Sequence, residues 1–182
     1  FIGFTNVAER LTPEMLVEEL DFCFSNFDSI ISKYRIEKIK TVGDAYICAS
    51  GLSDMNASPS DMVKAALEIQ DFLLHVKAER QSQGIPYFEA RVGIHTGPVV
   101  AGVVGKKKFI YDLWGDTVNL ASRITSEGTP GIIQVDATTH QRLAADFSFA
   151  EPQSIYLKGK GNTVVYRLGE SRVPAITAAA TA

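Results

Sequence analysis

Two stretches with helical spacing bracket one with strand spacing, and that order narrows the folds open to this chain. Leu16, Leu20, Phe24, Phe27 and Ile31 recur every three or four residues, the signature of one buried helical face. Thr12-Pro13 just ahead supplies an N-cap and a first-turn proline, which predicts the helix start. Residues 36–50 then turn to Ile, Val, Tyr and Thr around Val42-Gly43-Asp44-Ala45, the pattern of a β-hairpin. Ser58-Pro59-Ser60-Asp61 has capping-box spacing and opens a second helix whose inner stripe is Met62, Ala66, Ile69, Leu73 and Val76. That helix stops before Gly84 and Pro86. Phe88, Ala90, Val92 and Ile94 alternate with Glu89, Arg91, Gly93 and His95, which predicts a half-buried strand.

With an apolar opening around Ile2, the order is strand, helix, hairpin, helix, strand. This is the order of a ferredoxin-like α+β sandwich, a βαββαβ core with helices packed on one sheet. Further elements extend it: strands within 97–105 and 110–113, a third helix holding Asn119 and Arg123, a strand at 132–135, and a short helix capped by Asp136. Last comes a hairpin around Lys158-Gly159-Lys160-Gly161. Residues 1–170 read as one domain, and 171–182, rich in Ala and Thr, as a flexible tail. The chain opens at Phe1 inside the apolar run and is expected to be a fragment cut within or just after a strand, with an upstream regulatory domain.

Charge and composition exclude some classes. A net charge of -3 argues against a general nucleic-acid binder. No apolar run approaches the ~20 residues that span a bilayer, and no signal peptide is visible. Cys23 and Cys48 sit in apolar settings and read as buried free thiols, which points to a reducing, cytoplasmic setting.

The chemistry concentrates in two segments. Asn119 and Arg123 lie four residues apart. In a helix starting at Asp116 or Thr117 they share one face near its positive end, a place suited to a phosphoryl group gaining negative charge. Lys40 and the turn carboxylate Asp44 lie in Lys38-Ile39-Lys40-Thr41-Val42-Gly43-Asp44. The turn at Ile2-Gly3-Phe4-Thr5 offers backbone N–H groups to phosphate oxygens as it enters a helix. His95 reads as a hydrogen-bonded strand residue, Lys106-Lys107-Lys108 as a solvated turn, and Tyr46, Phe109 and Trp114 as packing groups.

Five segments, in order, carry a resemblance. Gly3-Phe4-Thr5, Glu37 to Tyr46, Arg91 to Gly97, Tyr111 to Arg123 and Lys158 to Gly161 resemble the ordered motifs of class III nucleotidyl cyclases. The resemblance implies cyclisation of a nucleoside triphosphate: the 3′-hydroxyl attacks the α-phosphorus and pyrophosphate leaves. It implies two Mg²⁺ or Mn²⁺ ions held by two aspartates. Asp44 matches the second, the first is expected immediately before Phe1, and the Phe1 backbone carbonyl is expected beside the metals. By the same resemblance Asn119 orients the ribose and the reacting centre. Arg123 stabilises the α-phosphoryl transition state, Lys158 contacts the terminal phosphates, and Phe4 and Thr5 give backbone contacts to the triphosphate.

Lys40 and Asp112 are the base-reading positions of that resemblance. Adenine presents an acceptor at N1 beside donors on its 6-amino group, and guanine presents the two in reverse order. Lysine only donates and ionised aspartate only accepts, so the pair favours ATP. The expectation is an adenylyl cyclase acting as a head-to-tail homodimer, with metal ligands from one chain and base and transition-state residues from the other. A guanylyl cyclase, or a degenerate domain that binds nucleotide without turnover, are the alternatives.

Overall fold

The structure, a computed structural model, describes residues 1–53, 58–107 and 109–169. The expected helices are present. After α1 (Phe4–Ala8), the long helix α2 runs Pro13–Ser32, with the Thr12 hydroxyl accepting from the Met15 N–H at 3.3 Å. Its inner face buries Cys23, Phe27, Ile30 and Ile31. Strands β1 (Glu37–Val42) and β2 (Ala45–Ala49) form the hairpin. Helix α3 (Pro59–Gln83) opens on the capping box of Ser58 and Asp61 and ends at Gly84. Ala66, Leu73 and Val76 of its expected stripe are buried; Met62 and Ile69 are half-buried beside them.

Next come β3 (Val92–Ile94), β4 (Val100–Val104), β5 (Ile110–Trp114), α4 (Asp116–Ser126), β6 (Ile133–Asp136), α5 (Ala137–Leu143), β7 (Gln153–Leu157) and β8 (Gly161–Arg167). Regular strand geometry within 88–94 is confined to Val92–Ile94, although Phe88 and Ala90 are buried as their alternation requires. The α+β layout is the one expected, with one difference. Among the described residues the strands fall into three hydrogen-bonded groups, not one sheet: β1-β2, β3-β6-β8-β7 and β4-β5. Phe1–Ile2 reaches both of the first two groups. The Ile2 N–H donates to Glu89 O at 2.8 Å, and the Phe1 nitrogen lies 3.1 Å from Asp44 O. That single-bridge strand holds the place of the ferredoxin-like core's first strand.

Aromatic packing anchors this corner. The Phe1 ring stacks on Phe88 at 4.6 Å and on Phe24 at 5.6 Å. Tyr46 packs against Phe24 and Phe27 and donates its hydroxyl to Asp28 at 2.5 Å, so it is a packing group as expected. Phe109 and Trp114 are not: they are 76% and 41% exposed. The reason is local, since the β4-β5 ribbon pairs with no other strand among the described residues.

Cys23 and Cys48 are free thiols, each pushed up to about 12, chiefly by burial. No helix among the described residues is long and apolar enough to cross a membrane. Lys106 and Lys107 are exposed. Lys108 and the expected tail, 171–182, lie outside the described residues.

Candidate active site

The hairpin fixes the first group of residues. A two-residue turn, Gly43-Asp44, joins Val42 to Ala45, and Gly43 takes φ +57, a conformation that strains any side chain. Asp44 is thereby held at the tip, its carboxylate one-third exposed, with Oδ2 3.2 Å from the Phe1 nitrogen. Gly3, at φ +59, turns the chain straight from Ile2 into α1. Phe4 anchors the start of α1 by stacking on Phe88 at 5.7 Å. Phe1, Phe4, Thr5 and Asp44 therefore share one corner. The first-turn N–H groups of α1 have no partner within the helix, as at any helix start.

The second group is Lys40 and Asp112, the pair expected to read the base. Lys40 Nζ lies 2.5 Å from Asp112 Oδ2, and Asp112 Oδ1 accepts from the Leu113 N–H at 2.8 Å. The Lys40 ammonium, helped by the Leu113 N–H, holds the Asp112 carboxyl below the usual carboxylate range. One donor and one ionised acceptor thus stand side by side in a single chain, one from β1 and one from β5.

Helix α4 carries the third group. Asn119 is exposed, and Arg123 one turn later is half-buried. The Arg123 guanidinium lies against the β7–β8 turn: a Cβ placed on Gly159 would sit 3.3 Å from its Nη1. Lys158 is exposed on that turn, while Lys160 reaches Asp116 Oδ2 at 2.5 Å.

The seat under α4 is tight at both ends. A Cβ on Gly93 would lie 2.4 Å from Thr125 N, and one on Gly97 would lie 2.6 Å from Thr117 Oγ1. Thr117 also donates to Pro98 O at 2.6 Å, and the fully buried Gln134 donates its amide to Ile124 O at 2.5 Å. Beneath the N-terminal end, His95 Nδ1 is 3.0 Å from Asp136 Oδ1, within ion-pair range but not aligned as a hydrogen bond. Asp136 caps α5 through the Thr138 and Thr139 N–H groups and accepts the Thr139 hydroxyl at 2.6 Å. Burial works against ionisation of Asp136, but the Thr139 hydroxyl, His95 and the Thr138 N–H outweigh it and hold the carboxyl low.

The candidate residues therefore gather in three local groups. Among the described residues no side-chain hydrogen bond or ion pair joins one group to another. A groove of about 450 Å³ between the 50–53 loop and β4 is lined by Glu37, Ser53, Pro98, Val99 and Tyr111, not by the candidate residues. No cluster of three or more His, Cys, Asp or Glu that would hold a metal is found among the described residues. The local sequence pattern did not show that Lys160 meets Asp116, that Gln134 meets Ile124 or that His95 meets Asp136. Their partners lie 10 to 44 positions away, beyond the reach of any local pattern.

Comparison with known proteins bears on what these groups do. A family model described as the adenylate and guanylate cyclase catalytic domain matches residues 1–170. The adenylate cyclase of Mycobacterium tuberculosis is 40% identical over 161 residues, 88% of this chain and 35% of that protein. Human guanylyl cyclase C is 40% identical over 172 residues, 92% of this chain and 16% of that protein. The chain thus spans only a minor part of these relatives' length. Among solved structures, the adenylyl cyclase CyaB from P. aeruginosa superposes with a TM-score of 0.86 at 26% identity, covering 94% of this chain and 91% of that one.

Proposed function

The chain belongs to the adenylate and guanylate cyclase catalytic-domain family, and we propose that within it this domain converts ATP to 3′,5′-cyclic AMP and pyrophosphate at sites shared by two head-to-tail copies. Identity to the adenylyl and guanylyl relatives is equal, 40% in each case, so overall similarity does not choose the base. The Lys40–Asp112 pair carries the choice. A lysine that only donates lies 2.5 Å from an aspartate held ionised. This is the order that adenine's N1 acceptor and 6-amino donor require.

The other groups take the reacting end of the nucleotide. Arg123 faces the α-phosphoryl group and stabilises the charge that builds there, and Asn119 one turn earlier orients the ribose. Lys158 contacts the terminal phosphates. The Phe4 and Thr5 N–H groups, unpaired at the start of α1, contact the triphosphate. Asp44 fits a hard divalent cation, since Mg²⁺ binds through one or two carboxylates and completes its shell with water and substrate phosphate oxygens. Asp44 and the Phe1 carbonyl would help to hold the two ions. When bound, Mg²⁺ or Mn²⁺ supplies Lewis acidity toward the 3′-hydroxyl and neutralises the triphosphate.

The need for a second copy is supported by the β4-β5 ribbon. Val100, Val104, Ile110 and Trp114 are exposed, and the register (Val100 opposite Trp114, Val104 opposite Ile110) puts them on one face of its two strands. An isolated hairpin is marginal in water, and a contiguous apolar surface of this kind is one that a partner covers. A second copy bringing its own Asp44 to this chain's Lys40, Asp112, Asn119 and Arg123 would complete each site.

The test is nucleotide choice, assayed with Mn²⁺ on the protein together with any residues that naturally precede Phe1. Each mismatched buried donor or acceptor costs about 1–3 kcal/mol. The ratio of kcat/KM for ATP over GTP is therefore expected to be roughly a hundredfold or more, and Lys40→Glu with Asp112→Cys to erode it. Equal turnover of both nucleotides by the unaltered protein would defeat the assignment.

A further inference from the structure

Lys160 and Asp116 have a contact whose meaning lies beyond the roles above. Lys160 Nζ sits 2.5 Å from Asp116 Oδ2, across 44 positions of sequence. The residue before Lys160 is Gly159, against which the Arg123 guanidinium is packed. The charged and titratable groups that bear on the Asp116 carboxylate come from each neighbouring element. They are Lys160 from the β7–β8 turn, Arg123 from its own helix and His95 from the end of β3. The Lys160 ammonium is the foremost of the influences that hold this carboxyl below its usual range. Asp116 is also the first residue of α4, where the helix dipole favours negative charge. One carboxylate thus occupies the point at which lysine, arginine and a helix start converge.

That carboxylate is itself 63% exposed at its side chain, so the pair is open to exchange. An ammonium is a point charge with three rotatable donors and no fixed fork, and a phosphate oxygen satisfies it as well as a carboxylate oxygen does. We propose that Asp116 is a built-in stand-in for a substrate phosphate: it parks Lys160 beside Arg123 in the empty protein and yields it to the pyrophosphate end of the nucleotide. Lys160, together with Lys158, then reads phosphate, and Asp116 sets how tightly. This rests on the cyclase reading of the site and adds to it a competing anion supplied by the chain itself.

Competition has a signature that a structural ion pair lacks, opposite signs for its two halves. Isothermal titration of the whole chain with magnesium pyrophosphate, at fixed ionic strength, measures it. Asp116→Asn removes the competitor and is expected to tighten pyrophosphate binding about two- to fivefold, the scale of an exposed ion pair. Lys160→Met removes the reader and is expected to weaken binding at least as much. In the Lys160→Met background, Asp116→Asn is expected to have little further effect, because nothing is left to compete for. Weakening by both single variants marks a structural pair and overturns the proposal. So does tightening that persists undiminished without Lys160, which is simple charge repulsion, or no binding by either wild type or Asp116→Asn at millimolar pyrophosphate. Cyclic-nucleotide formation by the wild-type samples keeps the two readings apart. Turnover without tightening removes the stand-in and leaves the catalytic reading, whereas tightening without turnover does the reverse.

Discussion

Replacing Gly93 by alanine tests the seat on which helix α4, with Asn119 and Arg123, depends. The added methyl would fall 2.4 Å from Thr125 N, 2.5 Å from Thr125 Oγ1 and 2.8 Å from Thr125 Cα. Carbon contacts are comfortable at about 3.5–4.0 Å, so a shift on the order of 1 Å is needed, and the obstacle is helix backbone. Thr125 has no easy retreat. Its hydroxyl donates to Ala121 O at 2.8 Å, and Gln134 grips the carbonyl of the preceding residue, Ile124. Overpacking of this kind costs about 1–3 kcal/mol. In a chain of this length each kcal/mol lowers Tm by about 2–4 °C. Because α4 also carries Asn119 and Arg123, a misplacement near 1 Å is expected to lower kcat on the order of a hundredfold, with KM changed far less. Gly169→Ala, away from the candidate residues, is the control: its methyl would meet Ser148 O at 3.4 Å, an ordinary van der Waals contact. Thermal unfolding and steady-state kinetics on both variants decide the matter. A Gly93→Ala protein with wild-type Tm and wild-type kcat would refute the close-seat account of α4.

Two further expectations follow from the same geometry. Asp44→Ala and Asn119→Ala proteins should each be inactive alone yet recover activity when mixed and allowed to exchange. About half the dimers are then hybrids with one intact site of two, or roughly a quarter of wild-type activity; no recovery despite demonstrated exchange would place the site within one chain. The low carboxyl of Asp136 adds stability that is fully present above the unfolded aspartate value of about 3.9 and is lost as pH falls toward and through the lower folded value. Wild type should therefore lose more Tm than Asp136→Asn between about pH 6 and 3, and parallel curves would show that the carboxylate contributes nothing.

The sequence displayed what local periodicity and capping can display. Both long helices, their caps at Thr12 and Ser58, the Gly43-Asp44 hairpin and the Asp136 cap stand where the pattern puts them, since each depends on neighbours within four residues. Association of strands into groups was less legible. The alternation around Phe88 to Ile94 predicts burial but not pairing, and only Val92–Ile94 finds a ladder partner, in β6. Phe109 and Trp114 are exposed against expectation, because an aromatic residue in or beside a strand looks the same in sequence whether or not its own chain covers it. The pairing of Lys40 with Asp112, 72 residues on, was implied by resemblance and not by spacing. The pairing of Lys160 with Asp116 had no such guide.

One stretch explains how these separate groups keep a fixed relation. Residues 88–97 begin under the Asp44 corner, where Phe88 stacks on Phe1 and Glu89 bridges Ile2. They continue through β3 beneath the end of α4 at Gly93 and reach its start at Gly97. The segment is clamped along its length: Gln70 donates to Ala90 O at 3.2 Å, and Val92–Ile94 lies in the ladder with β6. A clamped strand transmits position better than a loop does. The corner that would hold the metals and the helix that carries Asn119 and Arg123 are thus mounted on one rigid rail. If the two serve different sites of a dimer, that rail fixes how far apart the two sites of the pair must lie. A glycine at 93 and another at 97 are then required for a chemical purpose as well as a packing one. Any side chain there would push α4, with Asn119 and Arg123, off the rail while leaving the Asp44 corner where it is.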